Sequence, residues 1–146
     1  MARSFHREIA TEVAAPVART WDVVAQVERW PELTPSMTSV RLLAGEPLAL
    51  GSKVRIKQPR LLPAVWTVTE FEEWRSFAWV SKSVGITTVA RHRLDPAGDN
   101  ACLLTLSLDA SGPLVRLFGP MVRRLSGRYV AMEANGLKRA AEAPPA

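Results

Sequence analysis

The spacing of short alternating segments constrains the fold most strongly. In residues 5–13, Ile9, Thr11 and Val13 share one parity while Glu8 and Glu12 share the other, which is typical of a half-buried strand. From residue 37 the period of two returns in six further segments, separated by turn sequences such as residues 95–100. Because strands joined by short loops form an antiparallel meander, the sequence predicts a seven-stranded antiparallel sheet.

Helical periodicity occurs in only two places. Residues 16–36 predict one helix and, after the Trp30-Pro31 corner, a second short helix. Residues 114–142 predict one long helix with a single apolar stripe, made of Leu114, Leu117, Phe118, Met121, Leu125, Tyr129 and Met132. Gly119-Pro120 lies within this stripe. An interior proline removes a hydrogen bond and clashes with the preceding turn, so we expect a kink or break there.

This order of elements excludes a doubly wound fold, which needs helices between the strands. It indicates an α+β fold, in which a curved seven-stranded antiparallel sheet wraps around the C-terminal helix. A sheet of this width must curl around one helix, and the curl leaves a space between them. With 146 residues, we expect one ligand-binding domain over residues 1–146, with residues 143–146 as a frayed tail.

Composition excludes several classes of site. Cys102 is the only cysteine and the chain has two histidines, so no intramolecular disulfide or cysteine-based zinc site can form. We therefore expect no metal and no cofactor. The N-terminus lacks the apolar core of a signal peptide, and no segment approaches the roughly 20 apolar residues of a membrane span. These features and the lack of paired cysteines predict a cytoplasmic location.

The net charge of +5 has one local concentration, on the long helix. Arg116, Arg123, Arg124 and Arg128 lie off its apolar stripe. Such a surface is typical of a solvated helix face; contact with an anionic membrane is the alternative. No aromatic residues interleave with these arginines, which argues against nucleic acid as a partner. The sequence leaves monomer and homodimer open.

Several motifs have a distinctive order and spacing: residues 12–21 with 27–32, Gly51, 66–70, 77–79, 91–94 and 111–114. Over about residues 8–142 they resemble the polyketide cyclase/dehydrase and lipid-transport family of the START-like (Bet v 1-like) superfamily. The resemblance implies a helix-grip fold with an apolar ligand cavity. It does not imply one reaction, because related chains include cyclases, dehydratases, lipid carriers and proteins without known activity.

Large apolar side chains on the inward parity are candidate cavity walls. They are Trp66, Val68, Phe77, Trp79, Thr88, Leu104, Leu106, Leu108, Met121, Leu125 and Met132. The alternative is that they fill a solid core.

Three polar residues are candidates for chemistry in that cavity. His92 shares parity with Ala90 and Leu94, so it points inward and is placed to act as a general acid or base, or to serve as a structural histidine. Glu70 shares parity with Trp66 and faces inward unless a bulge turns it out. The hydroxyl of Tyr129 can bind a ligand or lie at the edge of the core.

These features lead to a binding function first: the chain holds a small hydrophobic, polyketide- or lipid-like ligand. The alternative is an aromatase/cyclase or dehydratase that folds a reactive chain into one conformer and moves protons through His92, Glu70 and Tyr129. An interaction protein, using the sheet or the basic helix, is the third interpretation.

Overall fold

The computed structural model describes residues 4–144, except for the side chains of Ser4, residues 116–119 and Val122. Three helices accompany the strands: α1 (Val17–Ala25), α2 (Trp30–Leu33) and α3 (Val115–Glu142), with a 3-10 turn at Val27–Arg29. The seven strands are β1 (Ser4–Val13), β2 (Ser39–Leu42), β3 (Lys53–Lys57), β4 (Ala64–Glu72), β5 (Ser76–Ser83), β6 (Ile86–Pro96) and β7 (Cys102–Ser111). Residues 145 and 146 of the predicted tail lie outside the described residues.

The strands form one antiparallel sheet in the order β1-β7-β6-β5-β4-β3-β2. β2 to β7 are sequential neighbours, and β1 joins the far side of β7 with Val13 opposite Cys102. The predicted α+β helix-grip architecture, with two short helices between the first two strands and a curved sheet around the C-terminal helix, is confirmed.

We expected a kink or a break at Gly119-Pro120, and helix α3 continues through Pro120 without a break. Pro120 lies near the N-terminal end of this helix and removes one hydrogen bond, while the many turns after it remain intact. The side chains of Arg116, Leu117 and Phe118, which we placed on this helix, lie outside the described part. No described helix is long and apolar enough to cross a membrane.

The C-terminal part of α3 packs tightly against the rest of the fold. The buried residues of this part include Val130, Ala134, Gly136, Leu137 and Ala141. These side chains are mostly small, so the helix comes close to the rest of the molecule. The interior is therefore filled toward the C-terminal end of α3, and space remains between the sheet and the stretch of the helix from Met121 to Glu133.

Candidate functional site

A cavity lies between the concave face of the sheet and the middle of α3, from Met121 to Glu133. It encloses about 110 Å³ of space that the centre of a water molecule can reach. By that measure one water needs roughly 10–15 Å³, so the cavity has room for several waters or a small ring compound. Met121 lines the cavity and is 55% exposed, which places an opening to solvent beside it.

The walls of the cavity are mostly apolar and come from four parts of the chain. The loop before β2, strands β3 to β7, the β3–β4 loop and α3 each contribute. The lining residues are Met37, Ile56, Gln58, Leu61, Trp66, Trp79, Ala90, His92, Leu108, Met121, Leu125, Ser126, Tyr129, Val130 and Glu133.

A histidine and a carboxylate form the polar centre of this cavity. Nε2 of His92 on β6 lies 3.1 Å from Oε1 of Glu133 on α3, and the two side chains are 3% and 12% exposed. Burial without a partner would be costly for either group. Because the two residues come from opposite walls, their hydrogen bond ties the helix to the sheet.

Aromatic rings hold His92 in place. Phe77, its cross-strand neighbour, stacks on the imidazole with centroids 4.3 Å apart and an interplanar angle of 12°. Trp79 meets the imidazole edge to face at 5.4 Å, and Trp30 lies at 5.3 Å. Such packing leaves the imidazole little freedom to rotate away from Glu133.

The other polar groups of the cavity are mostly engaged with backbone carbonyls of the rim. The Tyr129 hydroxyl donates to the carbonyl of Pro59, and Nε2 of Gln58 donates to the carbonyl of Ser36 at 3.2 Å. Both bonds hold the β3–β4 loop against the cavity mouth. The Tyr129 oxygen can still accept a hydrogen bond, and Ser126 adds a hydroxyl on the same helix.

Comparison with known proteins agrees with this geometry. Residues 4–142 match the family described as polyketide cyclase/dehydrase and lipid transport. The chain belongs to this family. A relative, a candidate polyketide cyclase from Streptomyces halstedii, is 31% identical over 93 residues, which make up 62% of this chain and 74% of the relative.

Solved structures show the same fold at low identity. The Zhui aromatase/cyclase from a Streptomyces species is 19% identical with a TM-score of 0.79, over 96% of this chain and 94% of that one. A START superfamily protein from Mycobacterium smegmatis is 22% identical with a TM-score of 0.76, over 94% and 97% of the two chains.

Within this member of the polyketide cyclase/dehydrase and lipid transport family, the predicted wall residues divide into three groups. Trp66, Trp79, Leu108, Met121 and Leu125 line the cavity. Others are buried in the filled core behind it, namely Val68, Phe77, Leu104 and Leu106. Thr88 and Met132 are half-buried and do not line the cavity. Inward parity selects the correct face of a strand, but it does not locate the hollow along that face.

Glu70 lies on the outer face of the sheet, which corrects our expectation that it points inward. The register of β4 against β5 shifts between Val68 and Glu70, and this bulge reverses the parity of the strand. The Glu70 carboxylate is exposed and lies 3.4 Å from Nε of Arg91, so it has no contact with the cavity.

Glu133 is the functional candidate that sequence reasoning missed. It lies four residues after Tyr129, and residues four apart share a helix face. The predicted stripe continued instead to Met132, because Met is apolar and Glu is not. The signal was a single carboxylate in line with Met121, Leu125 and Tyr129 at a strict spacing of four.

Two further expectations concern metals and the basic helix face. Within the described residues, no group of three or more His, Cys, Asp or Glu side chains is placed to hold a metal ion. Arg123, Arg124 and Arg128 are exposed, as a solvated face requires. The Arg123 guanidinium lies 5.7 Å from the centroid of Phe5.

Proposed function

We propose that the chain binds one small, largely apolar ligand that carries a hydroxyl or carbonyl group. The observation that carries this proposal is the cavity with apolar walls and a single buried imidazole–carboxylate pair. Apolar walls supply affinity through burial of the ligand, while a few fixed polar groups set its orientation. The carboxylate oxygens of Glu133 offer the ligand hydrogen-bond acceptors, and Nε2 of His92 lies beside them in the same cavity.

The size of the cavity favours a compact ring system over a long acyl chain. The space of about 110 Å³ corresponds to several waters, on the order of one or two aromatic rings. The aromatic walls from Trp66 and Trp79 suit flat ring faces. The family description, polyketide cyclase/dehydrase and lipid transport, supports a polyketide-like ligand within this size.

Native mass spectrometry of the purified protein tests this binding function. We expect a bound small molecule in the wild type and its loss in Ala90→Leu, because a leucine there projects into the cavity. Ala10→Leu makes the same chemical change on an exposed position of β1 and is the matched control. Equal occupancy of all three proteins by the same molecule would place its binding site elsewhere.

A second candidate function, catalysis of proton transfer in a cyclisation or dehydration, is favoured by the His92–Glu133 hydrogen bond. A base within the pair removes a proton from the carbon beside a ligand carbonyl, and the carbonyl oxygen takes up the resulting charge. The apolar walls hold the ligand in one conformer, which removes the entropic cost of finding it. The named cyclase and aromatase/cyclase relatives support this candidate.

Deuterium exchange into 1-tetralone, a two-ring ketone, separates the carrier from the catalyst. If the pair is basic toward a bound ketone, the wild type speeds exchange at the carbon beside the carbonyl, and His92→Phe binds the ketone but does not speed exchange. A carrier binds the ketone and leaves exchange at the rate in buffer. Acceleration that persists in both His92→Phe and Glu133→Gln would exclude the pair as the base.

A further inference from the structure

Two buried nitrogens have no hydrogen-bond partner among the described residues: Nε1 of Trp30 and Nδ1 of His92. Buried polar groups in native proteins are nearly always hydrogen-bonded, so each of these exceptions needs a physical explanation. The two rings are neighbours, with centroids 5.3 Å apart and an interplanar angle of 52°. A tilted contact at this distance brings an edge of one ring near the other.

The chemistry of the two nitrogens is complementary. An indole N–H can only donate. An ionised Glu133 can only accept, so its hydrogen bond with Nε2 of His92 requires the imidazole proton to be on Nε2. In a neutral imidazole the other nitrogen is then an acceptor. Trp30 therefore offers the donor that Nδ1 of His92 lacks.

A direct bond fits the site better than a bridging water. Although His92 lines the cavity, its Nδ1 and the Nε1 of Trp30 have almost no surface that water can reach, so no water-sized space adjoins either atom. The bond would join the two nitrogens at about 2.9 Å, the usual N–H···acceptor separation.

We propose that Trp30 is a positioning residue for His92: its indole N–H donates to Nδ1 and fixes the imidazole tautomer with the proton on Nε2. The resulting relay runs from Trp30 through His92 to Glu133, from the Trp-Pro corner of α2 to the cavity wall. Stacking on Phe77 fixes the plane of the imidazole, but the ring face is similar in both tautomers and cannot select one. The effect of this tautomer on a bound ligand rests on the proposed function. The hydrogen bond between Trp30 and His92 does not rest on it.

Nitrogen NMR of the ligand-free protein, labelled with ¹⁵N in histidine and tryptophan, tests the bond directly. In the wild type we expect the His92 proton on Nε2 alone and a scalar coupling across the hydrogen bond between Nε1 of Trp30 and Nδ1 of His92. Trp30→Phe keeps an aromatic ring but removes the donor, so we expect a mixture of both tautomers at His92.

The matched control is Trp21→Phe. Trp21 is also buried and packs edge to face on Phe77 at 6.4 Å, so it tests loss of a tryptophan without loss of the proposed donor. We expect it to leave the His92 tautomer unchanged. A proton on Nδ1 in the wild type, or no coupling to Trp30, would overturn the inference. If Trp30→Phe does not fold, the wild-type spectra alone decide whether the bond exists.

The outcome is separable from that of the proposed function. The coupling between Trp30 and His92 is measured without ligand. If the coupling is present but native mass spectrometry finds no molecule bound to the wild type, the hydrogen bond stands and the binding function is excluded. A bound ligand without the coupling would retain the binding function and remove the role of Trp30.

Discussion

His92 is held on every side by a different kind of contact. Glu133 binds its Nε2 from α3, Phe77 stacks on its face, and Trp79 and Trp30 meet it from two further directions. Of these contacts, only the hydrogen bond to Glu133, together with the bond that we propose from Trp30, discriminates a histidine from a phenylalanine of similar shape. The residue is therefore both part of the aromatic core and the polar group of the cavity.

We expect His92→Phe and Glu133→Leu each to destabilise the protein by about 1–3 kcal/mol, because each leaves a buried polar group without its partner. The double variant replaces both partners with apolar side chains, so it should be more stable than the sum of the single changes predicts. Chemical denaturation of all four proteins measures the coupling. Additive effects would show that the two groups do not interact in the folded protein.

At the scale of elements, the position of α3 depends on one close approach, between Gly136 and the end of α2. A Cβ atom on Gly136 would collide with the backbone carbonyl of Leu33 in α2 and lie 3.0 Å from Cβ of Thr34. Thr34, the residue after α2, is buried, so this part of the chain cannot move away without disturbing the core. This contact is the reason that glycine occupies the middle of a helix at this position.

Gly136→Ala should therefore destabilise the protein by about 1–3 kcal/mol through overpacking, although alanine in an open helix position stabilises by about 1 kcal/mol. Gly127→Ala is the control on the same helix, because its Cβ would meet only the movable end of the Arg7 side chain, 3.1 Å away. We expect that control to be neutral or stabilising in thermal denaturation. Similar values for the two variants would contradict the close approach.

The turn between β4 and β5 contains a tryptophan in a backbone conformation that suits glycine. Trp74 has φ of 72°, and the N–H of Arg75 donates to the carbonyl of Glu72 at 3.0 Å. Left-handed backbone costs a non-glycine residue roughly 1–2 kcal/mol. The side chain is 54% exposed, so little burial offsets that strain.

We expect Trp74→Gly to raise the free energy of unfolding by about 1 kcal/mol, since glycine adopts a positive φ freely. Trp74→Ala also removes the indole but keeps the strained backbone, so it should give no such gain. Urea denaturation of both variants separates the two effects. Equal stability of the glycine and alanine variants would show that the strain is absent.

The far end of α3 is fastened to β1 by a carboxylate. Glu142 accepts a hydrogen bond from the N–H of Ala14 at 2.8 Å and another from Nζ of Lys138 at 2.6 Å. The bond from Ala14, followed by that from Lys138, lowers the pKa of Glu142 below its ordinary value of 4.5. The ionised carboxylate of Glu142 therefore stabilises the fold fully at a pH above its ordinary pKa. This stabilisation is lost as the pH falls through the lowered pKa of the folded protein.

Glu142→Gln should therefore cost about 1 kcal/mol or less near neutral pH, a small effect because the group is partly exposed to solvent. The difference from the wild type should shrink as the pH falls through the lowered pKa of Glu142, where the wild-type carboxyl becomes protonated as well. Thermal denaturation across this range measures it. A difference that stays constant with pH would show that ionisation of Glu142 does not contribute.

For the whole molecule, sequence periodicity predicted seven strands, an antiparallel meander and a curved sheet around α3, because a period of two is set by the backbone itself. It did not predict that β1 pairs with β7. It failed where one residue changes the phase. The bulge after Val68 turns Glu70 outward. On α3, the residue that lines the cavity after Tyr129 is the polar Glu133 and not the apolar Met132. Nor does parity show that Leu104 and Leu106 lie in solid core while Leu108 faces the hollow, because that depends on where α3 stands off the sheet.

The central claim is that the cavity between the sheet and the middle of α3 receives an apolar ring, and the methionines of the chain allow a direct test. Met37 and Met121 line the cavity, whereas Met132 is half-buried outside it. In a titration of methyl-labelled protein with 2-naphthol, followed by methionine-methyl NMR, we expect saturable shifts of the Met37 and Met121 signals with little change at Met132. Saturable shifts at Met132 that spare Met37 and Met121 would contradict the account, as would no saturable shift at any of the three.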